Sequence, residues 1–202
     1  MSFKKGLLIV ISGPSGVGKT TLRQKLLTKH PKIRYAVSVT TRRPRKSEVD
    51  GHDYVFVCME KFKKDIKKGM FAEWAKVGEN FYGSSKTFIE DAINSGCDVL
   101  LDIDVQGASQ LSKLYPERGV FIFIKPPSID TLRSRLNLRK TDSEQEIDAR
   151  LMLAKKEIKE CKNYNYVLVN KDLDKTLESL SHIISSEKHN KMGRESENKK
   201  IE

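Results

Sequence analysis

Apolar residues along the chain follow two rhythms. Apolar-rich runs at residues 7–12, 98–103 and 119–124 predict buried strands, with a last short strand at 167–169. Between them the pattern turns helical. Residues 19–29 predict an amphipathic helix that stops before Pro31, and residues 85–94 predict another that ends at Gly96. A charged helix over 61–68 is closed by Gly69. Pro126 and Pro127 break the chain, after which Ser128 caps a helix with Asp130 and Thr131 in its first turn. Asp142 or Ser143 begins a long charged helix, and residues 173–185 predict a closing one.

Buried strands alternating with helices predict an α/β fold with a parallel sheet flanked by helices. The stretch from Tyr35 to Ser84 breaks the pattern. Its apolar segments, around 35–40, 53–57 and 71–77, are short, alternating and polar on one side, which predicts a small mixed α/β lobe. An arginine-rich stretch from Arg133 to Arg150 predicts a second, smaller helical appendage. The expected division is a core of 1–34, 89–130 and 158–188, a lobe of 35–88, an appendage of 131–157, and a basic, disordered tail of 189–202.

Composition narrows this picture without deciding it. The chain has 202 residues, 38% hydrophobic and 32% charged, which suits one core with small appended lobes. Its longest purely apolar stretch, residues 7–11, is far short of the ~20 residues that cross a bilayer, and no secretory signal precedes it. A cytoplasmic protein without a membrane partner is expected. Cys58, Cys97 and Cys161 are scattered, which argues against a disulfide framework or a zinc site. A net charge of +11 suggests an anionic partner, either nucleic acid or nucleotides.

The motif Gly13-Pro14-Ser15-Gly16-Val17-Gly18-Lys19-Thr20 chooses nucleotides. It matches GxxxxGK[ST] in full, with a predicted strand before it and a predicted helix after it. The glycines let successive backbone N–H groups converge on phosphate oxygens. Lys19 adds a point charge for the terminal phosphates, Thr20 a hydroxyl for magnesium, and the helix N-terminus a partial positive charge. A P-loop of this kind pairs with an acid at the end of a neighbouring strand. Asp102, ending an apolar run, supplies one, although a strand-end aspartate also serves as an ordinary helix cap.

Arg42, Arg43 and Arg45 crowd around Pro44, which forbids a regular helix through them. Arginine is the side chain best suited to bidentate phosphate binding, and a solvated basic turn is the plainer alternative. Glu73 lies in an alternating segment where it would share a face with Phe71, and a carboxylate beside large apolar groups normally has a partner or a task.

In order and separation, GPSGVGKT, SVTTRRPR, DGHDYVF, FAEWA, FYGSS and LLDIDVQG resemble the guanylate kinases, and the resemblance spans all but the tail. It implies a P-loop core, a GMP-binding lobe (35–88) and a lid (131–157). Ser38, Glu73 and Asp104 match positions that contact guanine. Arg42, Arg45 and the tyrosines Tyr54 and Tyr82 match those that hold the GMP phosphate, with Ser84 nearby. Arg135, Arg139 and Arg150 match arginines that close over the transferring phosphate, and Asn170 falls where the family places a residue near adenine. The implied reaction takes MgATP and GMP, or dGMP, to MgADP and GDP. Arg43 stands where the family usually has a small residue, and Lys140 follows Arg139 where glycine is frequent; both add charge and remove no function.

Three rivals remain. A kinase for another acceptor would keep the P-loop but lack Glu73, Asp104 and the arginine and tyrosine set. A protein-binding module that has lost catalysis would lack some of Lys19, Thr20, Arg42 and Arg45, all of which are present. Charge-driven nucleic-acid binding has support only in composition, and no specific nucleic-acid partner is expected. Monomer and homodimer stay open.

Overall fold

The computed structural model describes residues 5–138 and 143–198, with side chains as far as Lys191. In chain order, β1 (Leu8–Ser12), α1 (Lys19–Lys29), β2 (Arg34–Tyr35), β3 (Val39–Thr40) and β4 (Val55–Phe56) come first. Then follow α2 (Met59–Lys67), β5 (Phe71–Val77), β6 (Asn80–Ser85), α3 (Lys86–Asn94), β7 (Val99–Asp102) and α4 (Val105–Leu114). The chain continues through β8 (Gly119–Lys125), α5 (Ile129–Asn137), α6 (Glu144–Lys159), a 3-10 turn (Glu160–Asn163), β9 (Tyr166–Val169) and α7 (Leu173–Asn198).

Five strands form one sheet in the order β2-β7-β1-β8-β9, and four form another in the order β4-β3-β6-β5. The pairs β2·β7 and β8·β9 are parallel. All five residues of β1 and the first six of β8 are buried, as strands covered on both faces require. The α/β class expected from the alternating pattern is the one observed. The described residues divide into two compact units. One draws on residues 5–8, 32–101 and 106–119, the other on residues 9–31, 102–105, 120–138 and 143–198.

The first unit carries the small sheet, which is mixed: β3 runs parallel to β4 and antiparallel to β6, and β6 runs antiparallel to β5. Phe62 of α2 is its centre, fully buried, with its ring stacked on Phe71 at 4.5 Å and tilted against Phe81 at 5.6 Å. The pairing of β5 with β6 shifts between Phe71 and Glu73. Glu73 is buried and Phe71 half-buried. Gln110 of α4 lies along the edge of β5, its amide donating to the Trp74 carbonyl at 2.8 Å and accepting from the Trp74 N–H at 3.3 Å.

Neither β6 nor α4 was anticipated. The sequence of α4, VQGASQLSKL, holds a glycine and two serines, weak helix formers. Burial of Gly107, Ala108 and Leu111 on one face overrides that weakness.

In the second unit α5 and α6 share a core of Leu132, Leu136, Ile147, Leu151 and Ala154. Ser128 caps α5, accepting from the Thr131 N–H at 3.0 Å. Ser143 caps α6 through a reciprocal box: its hydroxyl accepts from the Glu146 N–H, and its own N–H donates to the Glu146 carboxylate at 2.7 Å. The closing helix α7 runs past residue 185 to Asn198, into the stretch expected to be disordered. Glu187 ties that continuation to β9, accepting from the Tyr166 hydroxyl at 2.6 Å. Among the described residues no helix is long and apolar enough to cross a membrane.

Candidate active site

Between β1 and α1 the backbone turns through Gly13, Gly16 and Gly18, with φ of 145°, 88° and 103°. All three glycines also meet a close neighbour, and a Cβ on Gly16 would lie 2.8 Å from the Leu136 side chain. A Cβ on Gly13 would lie 2.2 Å from the Ile124 carbonyl oxygen, and one on Gly18 would lie 2.7 Å from the Asn170 amide nitrogen. α1 then starts with no side-chain cap, which leaves the helix N-terminus for an anion. The Lys19 ammonium folds back over its own loop, donating to the carbonyls of Gly13 at 2.6 Å and Pro14 at 3.3 Å. Ser15 and Thr20 are exposed, while Pro14 and Val17 are buried.

The Val17 carbonyl accepts from the Asn170 amide at 2.8 Å and from the Arg135 guanidinium at 3.3 Å, and Arg135 donates again to the Asn170 carbonyl at 2.9 Å. So Arg135, expected over the transferring phosphate, lies against the backbone of the loop. Arg150 is half-buried on α6, in the field of Glu146. Arg139 and Lys140 lie outside the described residues.

Acidic groups face Lys19 within the same unit. Burial pushes the Asp102 carboxyl above its ordinary range, opposed by the positive charges of Lys19 and Arg23. Glu157, near the end of α6, is pushed up to about 7 by burial and by Asp104, with Lys19 pulling the other way. Tyr164 is raised to about 12, again chiefly by burial, with the Ser12 hydroxyl opposing. Glu157 and Tyr164 were missed from sequence, because one acid in a charged helix and one tyrosine before a strand carry no spacing signal.

A hydroxyl from Thr20 and a carboxylate from Asp102 are hard oxygen donors of the kind magnesium prefers. Among the described residues no group of three or more His, Cys, Asp or Glu could hold a metal ion. A pair of donors of this kind fits magnesium, which keeps several waters and takes further ligands from substrate phosphates.

The first unit brings together a different set. The Arg42 guanidinium donates to the Glu48 carboxylate at 2.7 Å and lies 5.4 Å from the centre of the Tyr54 ring. Tyr54 meets Tyr82 edge-on at 5.9 Å, and the Tyr82 hydroxyl also interacts with Arg42. The other oxygen of Glu48 accepts from the Arg45 N–H at 2.7 Å, so one carboxylate shapes the whole basic turn. The hydrogen bond from Arg42 holds Glu48 below the usual carboxylate range. Glu48 was missed as well; it sits in a polar stretch that reads as solvated surface.

Deeper in this unit Glu73 is 4% exposed and Ser84 fully buried. The Ser84 hydroxyl donates to the Glu73 carboxylate at 2.5 Å. Ser84, expected near the phosphate-binding groups, is thus engaged with this carboxylate. Ser38 is buried in the same unit, whereas Asp104 belongs to the other.

The family model described as guanylate kinase matches residues 5–187. The chain belongs to the guanylate kinase family. A guanylate kinase of Clostridioides difficile (strain 630) is 47% identical over 194 residues, spanning 96% of this chain and 94% of that protein. One from Caldanaerobacter subterraneus subsp. tengcongensis is 48% identical over 189 residues, spanning 93% of this chain and 91% of that one. Among solved structures, a guanylate kinase from Anaplasma phagocytophilum shares 39% identity and superposes with a TM-score of 0.78, covering 92% of this chain and 87% of its own.

Proposed function

We propose that the chain transfers the γ-phosphate of ATP to GMP, giving ADP and GDP, with dGMP as a further acceptor. The observation that carries the choice of GMP is the buried Glu73 carboxylate oriented by Ser84. Guanine offers N1–H and N2–H₂ as adjacent donors, and an ionised carboxylate is a pure acceptor. Adenine would set a lone pair against that negative charge, which leaves polar groups unpaired and rejects the wrong base. Asp104 and Ser38 complete the proposed guanine contacts.

Arg42, Arg45, Tyr54 and Tyr82 are the proposed holders of the GMP phosphate. Its ionised oxygen attacks the γ-phosphorus of ATP as the bond to the β-phosphate oxygen breaks. No proton need be removed from the attacking oxygen, so no general base is assigned. His52 is exposed and the His30 ring sits 3.0 Å from the Ser181 hydroxyl, neither needed for the chemistry. The P-loop, residues 13–20, with Asn170 is the proposed ATP site. Lys19 exchanges its carbonyl contacts for phosphate oxygens, and Arg42, Arg135, Arg139 and Arg150 neutralise the transferring group. Thr20 and Asp102, directly or by way of water, would hold magnesium brought in with ATP, which would supply charge neutralisation at the terminal phosphates. The lobe, 35–88, and lid, 131–157, are the segments proposed to exclude water. The wider reading is a cytoplasmic enzyme of purine nucleotide metabolism, monomeric or homodimeric, without a nucleic-acid partner.

The test is ADP release from ATP and magnesium with GMP, AMP, UMP or CMP as acceptor. Turnover with GMP far above the rest supports the reading. Preference for another monophosphate keeps the kinase and removes the argument from Glu73. A folded protein inactive with all four would bring the protein-binding reading forward.

A further inference from the structure

Asn170 follows β9, where the family reading places a residue near adenine, yet its side chain faces the phosphate loop. It is 3% exposed, and its amide nitrogen donates to the Val17 carbonyl at 2.8 Å in a buried bond. The orientation of the amide is fixed by its neighbours. Val17 presents an acceptor, so the nitrogen must face it. On the other side the Thr176 hydroxyl lies 3.2 Å from the Asn170 amide oxygen and 2.6 Å from the Asp172 carbonyl. Thr176 is itself 5% exposed, held on α7. Arg135 adds a second donor to the Val17 carbonyl and grips the Asn170 carbonyl as well.

This arrangement bears on Gly18. In a trans peptide the N–H of one residue points opposite the C=O of the residue before it. Two donors that hold the Val17 carbonyl therefore aim the Gly18 N–H away from Asn170. Gly18 is also where α1 begins, in a left-handed conformation that an L side chain rarely adopts. The Asn170 amide nitrogen occupies the space a Gly18 side chain would need. The loop is thus braced from outside at the residue whose N–H must be presented to phosphate.

We infer that the Asn170 side chain, held by the Val17 carbonyl with the Thr176 hydroxyl beside its amide oxygen, is a positioning residue for the phosphate loop and does not read the base. The inference rests on the P-loop being the ATP site. Its consequence is that Asn170 governs affinity for the phosphate chain equally whether or not adenine is attached.

The experiment is calorimetric titration of the full chain with magnesium ADP and, separately, with magnesium tripolyphosphate, which has no base. Asn170→Ala should weaken both ligands by the same factor, about tenfold for a buried hydrogen bond lost. Thr176→Val should weaken both by about threefold, and Thr176→Ser should restore both. The ratio of turnover with ATP to turnover with GTP as donor should stay as in the unaltered chain. Weaker ADP with unchanged tripolyphosphate would overturn the inference, since Asn170 would then be reading adenine. So would unchanged affinity for both ligands, which would leave the network a merely structural one. Thermal melting of each variant separates unfolding from loss of binding, and Thr176→Val, nearly isosteric, guards against failure of Asn170→Ala to fold. If the unaltered chain binds neither ligand, the ATP-site reading itself falls, an outcome distinct from any change between variants.

Discussion

The two phosphate-handling regions are built from different materials. The P-loop is mostly backbone: glycines in left-handed conformations, an uncapped helix start, and carbonyls pinned by Asn170, Arg135 and Lys19. The basic turn is mostly side chain: the Glu48 carboxylate holds the Arg42 guanidinium and the Arg45 N–H, and Arg42 in turn meets Tyr54 and Tyr82. A backbone cage can be written in one short motif, because its geometry belongs to eight consecutive residues. A side-chain cage draws on residues spread from 42 to 82, and what holds them is invisible until the chain folds. Backbone sites should therefore fail through their charge and their glycines, and side-chain sites through their braces.

The sharpest way to test that contrast is to remove the one indispensable side chain of the backbone site. Lys19→Ala should lower kcat by about a thousandfold, the scale expected when a group that stabilises transition-state charge is lost, while melting stays near that of the unaltered chain. An effect confined to KM would mean Lys19 only binds. Next comes the deep end of the side-chain site. Glu73→Gln places a donor against guanine and should cut the preference for GMP over AMP by roughly a hundredfold, read from kcat/KM for each acceptor.

Glu48→Gln probes a brace directly. It keeps hydrogen-bonding capacity but removes the charge, so KM for GMP should rise about tenfold, with a smaller fall in kcat. Unchanged KM and kcat would show that Arg42 is organised by something else. The smallest effect concerns stability. Glu157 is raised to about 7 by burial, from an ordinary 4.5. The folded chain therefore binds this proton more tightly than the unfolded one, and stability declines as pH rises through that window. Glu157→Gln should melt with the unaltered chain near pH 4.5 and a few degrees above it at about pH 8. Equal melting at both would mean the carboxylate finds a partner when ionised.

Legibility followed the range over which each feature is determined. The helix start at Ser128, and the one at Asp142 or Ser143, were readable because a cap and its first turn lie within four residues; the structure selects Ser143. The P-loop was readable for the same reason. The α4 helix was not, since its glycine and serines argue against a helix and only burial of Gly107, Ala108 and Leu111 argues for it. The resemblance put Ser84 near the phosphate groups; the pairing of Glu73 with Ser84 across β5 and β6 is what sets its hydroxyl on the carboxylate. Likewise the resemblance put Asn170 beside a base, and only the folded chain shows which atom its amide reaches.

The contact of Gln110 with β5 has a consequence of another kind. A peripheral strand offers free N–H and C=O groups to any passing extended chain, the first step toward intermolecular stacking. At Trp74 a single glutamine side chain, borrowed from a helix, imitates the amide of a missing neighbour in both directions. It occupies the strand's bonding capacity there, so a foreign strand must first displace it to recruit this sheet.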